Sequence, residues 1–275
     1  MLSIGELVRK SQSSVFWCMR GLPKAEREAM YTLYAFCRHI DEIMIADMPA
    51  KEKSALFKAW QEELDNIYDK HVPSTNIGRK IYKNCMRFDL PKEKFAAILE
   101  SAKINALTPL VAPETEVFEQ YIYGIAIVPI ELSLKIMGES KLTIRKELAR
   151  SLGTALIITS ILRDIKEDAH KERLYFPADI LEKSGVIISL PLSMAGDKNL
   201  ISAREELSQT AEKSFKKAER LLDKMSRKKY LPLRLINNIS YCYFNKMKTR
   251  GWEIIAPRPR ISIFEKFNII RKTLF

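Results

Sequence analysis

An all-α fold is what this chain predicts, and three observations carry the expectation. Turn-forming residues are scarce, with 9 Gly and 12 Pro in 275 residues, too few to punctuate many short strands. Apolar residues recur at three- and four-residue steps along most of the chain, the period of a helix with one buried face. No convincing run alternates apolar and polar residues as a half-buried strand does. Hydrophobic residues make up 47% and charged residues 29%, which excludes disordered and fibrous classes and leaves ample material for a core.

The elements follow in order. Residues 24–46 read as one helix, because Pro23 stands just ahead, where a missing N–H is tolerated, and Met30, Leu33, Tyr34, Cys37 and Ile40 share a face. Pro49 marks its end. Residues 50–70 form an amphipathic helix around Leu56, Trp60, Leu64 and Ile67. Residues 92–107 and 115–137 give two more, and Pro129 is expected to kink the second. Residues 141–169 make a long apolar helix ending in charge. Tyr175, Phe176 and Pro177 lie in a loop, and residues 178–186, 202–228 and 231–250 complete the set. No repeat, low-complexity tract or linker divides the chain, so 1–275 reads as a single domain. The most apolar stretches, near 121–138 and 153–162, are interrupted by Glu131 and Lys135 or fall short of the roughly 20 residues a spanning helix needs. The opening MLSIGELVRK lacks the apolar core of a secretory signal.

Composition narrows the function. Cys18, Cys37, Cys85 and Cys242 form no CxxC pair, and His39, His71 and His170 form no HxxxH pair. A disulfide framework and a zinc site are therefore not expected, and a reducing, cytoplasmic compartment is. Lys plus Arg is 46 against 34 Asp plus Glu, a net charge of +12. That excess suits nucleic acid, a membrane surface or a phosphorylated substrate, and a merely solvated lysine-rich surface stays open beside them. Nucleic acid has no recognition motif or stacking platform behind it. No dinucleotide-binding fingerprint is present, so a nicotinamide-dependent step is not supported.

The sharpest feature is ITSILRDIKEDAHKERLYFP, residues 158–177. Asp164 and Asp168 lie four apart, which on a helix puts both carboxylates on one face. Two like charges there repel unless a cation intervenes. The same stripe runs back through Ser160, and its hard oxygen atoms suit magnesium. Arg163 and Arg173 flank it with guanidinium groups that match phosphate oxygens. A solvated salt-bridge lattice at a helix end is the bland alternative. YAFCRHIDE, residues 34–42, repeats the chemistry by placing Arg38, Asp41 and Glu42 at the end of another apolar helix. Two such helices facing each other would make an acidic cleft over an apolar hole, the arrangement that ionises an allylic diphosphate.

These residues resemble a known family. YAFCRHIDE resembles the first aspartate-rich motif of the squalene and phytoene synthases, and ILRDIKEDAHKERLYFP resembles their second. SSVFWCMRGLPKAEREAMYTLYAFCR and GWEIIAPRPRISIFEKFNIIRK are similar to the end segments of the bacterial presqualene diphosphate synthases of hopanoid biosynthesis. The resemblance covers nearly the whole chain. It implies an isoprenoid synthase helical bundle with a central apolar cavity. It also implies magnesium-dependent head-to-head condensation of two prenyl diphosphates, typically farnesyl diphosphate, stopping at presqualene diphosphate or a related product. Carried over by position, Asp41, Ser160, Asp164 and Asp168 are magnesium ligands, and Arg38, Arg163 and Arg173 grip diphosphate. Tyr34, Tyr121, Tyr175 and Tyr243 line the reacting centre. Arg260 adds a diphosphate contact, and Ser14 falls in the substrate-binding N-terminal segment.

The chain departs from the family pattern at specific positions. The second Asp of the first motif is replaced by Ile45, and Asp47 lies six residues from Asp41, about 240° around a helix. Glu42 stands where Asp is usual. In the second motif, Ser160 and Ile157 replace Asn and Gln. YIYGIAIVPIELS places Ile127, Val128, Pro129 and Ile130 where smaller residues are favoured. Ile45, Ile157 and Ser160 leave a second reading open, a catalytically degenerate member acting as a lipid-binding or assembly protein. The tail ISIFEKFNIIRKTLF combines apolar residues with Lys266, Arg271 and Lys272. It is expected either to lie peripherally on an anionic membrane, at its inner face, or to pack back onto the helices. Monomer and homodimer are both left open.

Overall fold

The computed structural model describes residues 19–274. Among them the regular structure is helical, and the only β-type pairing is an isolated parallel bridge between Val111 and Leu174. The helices are α1 (Lys24–Ile45), α2 (Ala50–Tyr68), α3 (Asn76–Phe88), α4 (Lys92–Leu107), α5 (Thr115–Ile122), α6 (Val128–Ile136), α7 (Leu142–Ala169), α8 (Ala178–Lys183), α9 (Pro191–Ala195), α10 (Leu200–Asp223), α11 (Leu231–Arg250) and α12 (Ile263–Leu274). The chain falls into two compact units, one running to Thr108 and including Tyr123–Ala149, the other comprising Pro109–Ile122 and the chain from Arg150 onward.

In the first unit the core is aromatic. Phe36 of α1 is fully buried and meets Trp60 of α2 and Phe95 of α4 edge to face, each at a centroid distance of 5.3 Å, the geometry the ring quadrupoles favour. The sequence pattern did not reveal α3. Gly78 and a high density of polar residues dilute its narrow stripe of Ile77, Ile81 and Cys85. Its start is set from outside. The buried Glu63 of α2 accepts hydrogen bonds from the Ser74 and Thr75 amides at 3.1 and 2.8 Å, and Thr75 Oγ1 in turn accepts from the Gly78 amide at 2.8 Å. Burial alone would raise the Glu63 carboxyl, but these hydrogen bonds outweigh it and hold it low. A Cβ on Gly78 would overlap the Glu63 carboxylate, so glycine is what lets the two helices approach.

The segment expected as one helix over 115–137 is interrupted. A π-helical turn, Tyr123–Ile127, separates α5 from α6. Pro129 has no N–H for the carbonyl four residues back, and its ring crowds that turn, so the helix widens just before it. The run Thr115–Ile136 has 22 residues and its most apolar 18-residue window has a mean hydropathy of 1.3, long and apolar enough to cross a membrane, whereas the sequence pattern predicts no spanning helix. Val128, Leu132, Leu134 and Ile136 are buried, and Glu131 is satisfied by Lys94 at 2.6 Å. Its apolarity therefore serves a core.

In the second unit, α10 buries Leu207, Ala211, Phe215, Ala218 and Leu222 on one face and leaves most of its lysines to solvent. Phe215 and Phe244 of α11 lie 5.5 Å apart, and Trp252 extends the cluster at 5.9 Å from Phe244.

Candidate active site

The first acidic motif lies on α1. Tyr34 is half-buried and, with Tyr31 and Ile77, packs against Ala35. One turn later Arg38 donates from Nε to Glu42 Oε1 at 2.9 Å and lies 4.0 Å from Asp41 Oδ2. The hydrogen bond to Glu42 is the main reason the Arg38 guanidinium is raised above its ordinary value. Its side chain is nonetheless 51% exposed, and those of Asp41 and Glu42 are 43% and 54% exposed. Ile45, in the place of a second carboxylate, is exposed and is the last residue of the helix. Asp47 stands beyond that end, so the 240° offset of a continuous helix does not apply to it.

The second motif lies on the last turns of α7 and is far less exposed. Asp164 is held on both oxygens. Arg163 donates from Nε to Oδ1 at 2.8 Å and from Nη2 to Oδ2 at 2.6 Å, and Arg258 Nε approaches Oδ1 at 2.6 Å. Burial by itself would lower Arg163, but Asp164 outweighs it and keeps the guanidinium raised. The Arg163 guanidinium also lies 5.0 Å from the Tyr243 ring centre, which brings Tyr243 of α11 to the motif. Burial, and then the charge of Asp164 one turn away, push the Asp168 carboxyl up to about 7. Ser160 sits one turn before Asp164, half-buried, with Ile157 on the preceding turn.

The loop after α7 is laced to the segment before α5. The Arg173 amide donates to the Asp168 carbonyl at 3.0 Å, the Leu174 amide to Leu110 at 2.9 Å, and the Ala112 amide to Leu174 at 3.0 Å. This lacing fixes Arg173, which is buried, and sets the ring of Tyr175 on that of Tyr121. The two rings stack at 5.0 Å with planes 10° apart. Both are buried, an apolar aromatic surface two residues from a buried guanidinium.

Arg163, Asp164, Asp168, Arg173, Tyr121, Tyr175 and Tyr243 are thus placed in one unit, and Tyr34, Arg38 and Asp41 in the other. Ser14 lies outside the described residues. In the C-terminal segment the guanidinium of Arg258 meets Asp164. The carbonyl of Arg260 accepts from Lys246 at 2.8 Å. The sequence reading did not single out Arg258, which lies two residues before Arg260 in the PRPR run.

The squalene/phytoene synthase family profile matches residues 8–265. The chain is 31% identical over 252 residues to presqualene diphosphate synthase of Rhodopseudomonas palustris, covering 91% of this chain and 88% of that one. It is 32% identical over 211 residues to presqualene diphosphate synthase of Sinorhizobium fredii, covering 77% and 75%. Among solved structures, a dehydrosqualene synthase in complex with ligand superposes with a TM-score of 0.85 at 21% identity, covering 98% of this chain and 94% of that one. With the all-α isoprenoid synthase fold and this match over most of its length, the chain belongs to the squalene/phytoene synthase family of prenyltransferases.

Proposed function

We propose that the protein condenses two prenyl diphosphates head to head, farnesyl diphosphate in the first instance, to presqualene diphosphate. The observation that carries this reading is the half-buried RDxxxD turn, where Arg163 and Arg258 hold Asp164 while Asp168 is raised to about 7. In the reaction the C1–O bond of one substrate breaks, and the diphosphate leaves with the electron pair. The double bond of the second substrate attacks that carbon, a proton is lost and a cyclopropane closes, so the products are presqualene diphosphate, pyrophosphate and a proton. Arg163 and Arg173 offer planar donor forks to the negative charge that builds on the leaving group. The stacked faces of Tyr121 and Tyr175 offer quadrupole stabilisation to an allylic cation. Their burial keeps water from capturing it. Arg38 and Asp41 serve diphosphate chemistry on α1.

Magnesium fits the donor set. Asp164 and Asp168 are hard oxygen ligands one turn apart, with Ser160 behind them, and a dication would relieve the repulsion that helps raise Asp168. Among the described residues no three His, Cys, Asp or Glu side chains form a group that would hold a metal ion. Magnesium needs only one or two carboxylates when diphosphate oxygens and water complete its shell. When bound, it supplies positive charge to the departing diphosphate. The test is purified protein with farnesyl diphosphate and magnesium, followed by extraction and mass spectrometry. Presqualene diphosphate with matching pyrophosphate release is expected. Bound but unreacted substrate would instead favour the lipid-binding alternative suggested by Ile45, Ile157 and Ser160.

A peripheral membrane contact accompanies this reading, supported by α12. The helix is tied to α11 by Glu265 to Lys246 at 2.7 Å and by Thr273, which accepts from Asn238 at 2.9 Å. The tail thus packs back and still turns Ile263, Phe264 and Phe267 outward, at 83%, 82% and 65% exposure. Lys266, Arg271 and Lys272 accompany them, so an anionic bilayer matches both the apolar and the charged surface, whereas a second copy would oppose like charges. Co-sedimentation with phosphatidylglycerol vesicles is expected for the native protein. It should weaken when Phe264→Glu and Phe267→Glu are combined, and equal binding by the two would remove α12 as the contact.

A further inference from the structure

The chain that follows α11 is held by cations along its length. Gly251 ends the helix with φ of 96°, a conformation that residues with a Cβ rarely adopt. From Gly251 to Arg260 the chain has no helix or strand of its own, so its carbonyls need donors from elsewhere. Arg204, fully buried on α10, donates to the Trp252 carbonyl and, at 3.3 Å, to that of Ile254. Its guanidinium lies 5.5 Å from the Trp252 ring centre. Arg250, the last residue of α11, donates to Ile254 at 3.0 Å and to Pro257 at 2.6 Å. The next residue is Arg258, on Asp164.

This is a costly way to satisfy a few carbonyls. Burial, with Arg250 close by, pulls Arg204 down to about 10, the sign of a guanidinium held out of water. Neutral donors or water would cover the same carbonyls more cheaply. What two rigid planar forks add is direction, since each fixes two donors at once. Both forks grip Ile254, and the second also grips Pro257, immediately before the arginine that reaches the acidic motif.

We propose that Arg204 and Arg250 are positioning residues, which fix the strap between Gly251 and Pro257 so that Arg258 is delivered onto Asp164. The proposal rests on the condensation described above. Arg258 and Arg163 together then hold the Asp164 carboxylate in one orientation, ready for diphosphate chemistry. Neither Arg204 nor Arg250 touches Asp164 in this account, and both act through the strap.

The test uses the full chain, with magnesium pyrophosphate as the binding probe and hydrogen exchange of the 251–260 peptide as a readout that needs no activity. Arg250→Ala is the primary variant because Arg250 is only half-buried, and Arg204→Gln is the second. Each is expected to speed exchange in the strap and to weaken pyrophosphate binding by about tenfold, the size of coupling between contacting residues. In an Arg258→Ala background the same substitutions should weaken binding no further. A loss of equal size with and without Arg258, or unchanged exchange in the strap, overturns the proposal. If the native protein fails to bind magnesium pyrophosphate, the condensation reading falls, and exchange in the strap still decides whether the two arginines hold it. Unfolding of the Arg204 variant leaves the Arg250 cycle as the deciding measurement.

Discussion

The acidic ends of α1 and α7 are written with the same residue types and carry them in opposite physical states. On α1, Arg38, Asp41 and Glu42 form a lattice whose side chains are about half exposed. Exposed pairs of this kind contribute little, because water and salt screen them. On α7, Arg163 and Asp164 are each 19% exposed, a second cation, Arg258, arrives from the strap, and Asp168 is pushed up to about 7. Charges there interact strongly and are costly to leave unpaired. The difference teaches that one motif is built into the folded state, whereas the other sits lightly on a helix surface.

The largest expected effect breaks the α7 side of that comparison. Asp164→Ala leaves Arg163 and Arg258 without their shared carboxylate, so stability falls by about 3 kcal/mol, measured by urea unfolding, and product formation is lost. Asp168→Asn should act in the other direction. A carboxyl whose folded pKa lies above its unfolded value contributes stability that is complete below the unfolded value and lost as pH rises through the folded one. In chelator, native protein is therefore expected to lose stability between about pH 4 and pH 7 from this group. The variant should lack that loss and be the more stable by about 2 kcal/mol at pH 8, after discounting for partial solvation. Magnesium should stabilise the native protein at that pH and the variant much less.

On α1 the effects should separate. Asp41→Asn is expected to change stability by less than about 0.5 kcal/mol, since its side chain is 43% exposed and its ion pair with Arg38, at 4.0 Å, is open to solvent, while turnover collapses. A stability loss comparable to that of Asp164→Ala would erase the contrast between the two motifs. The smallest effect is expected from Ile45→Asp, which adds a carboxylate one turn after Asp41 on an exposed position. Its unfolding midpoint should stay within error of the native one, and the magnesium concentration for half-maximal activity should fall.

Much of the fold was legible because its signals are local. Pro23 and Pro91 precede helices that begin at the next residue, and α1, α2, α4, α7 and α11 run where periodicity put them, although on α2 the expected Leu56 is exposed and Phe57 is buried instead. What was missed depended on distant partners. Helix α3 takes its start from Glu63 on α2, a contact with no trace in the local pattern. Short α9 has one turn of residues and no period to read. In the site, the RDxxxD spacing and the flanking arginines were visible as a stripe, and the stacking of Tyr121 on Tyr175 was not. That stacking depends on the backbone lacing of Leu174 to Leu110 and Ala112, far apart in sequence. The contact of Arg258 with Asp164 was equally hidden, since it depends on a strap whose carbonyls Arg204 and Arg250 hold from other parts of the chain.

By itself the sequence determined the helical class, the order of the long helices and which residue types carry charge at two helix ends. These follow from periodicity and spacing, which act over a turn or two of chain. Only the tertiary structure decided how those charges behave. Burial depends on what packs above a residue, and Arg258, the second arginine on Asp164, comes from a segment almost a hundred residues later. Two motifs with the same composition thus became a solvated lattice and a half-buried ion cluster, because desolvation depends on surroundings that residue identity does not specify.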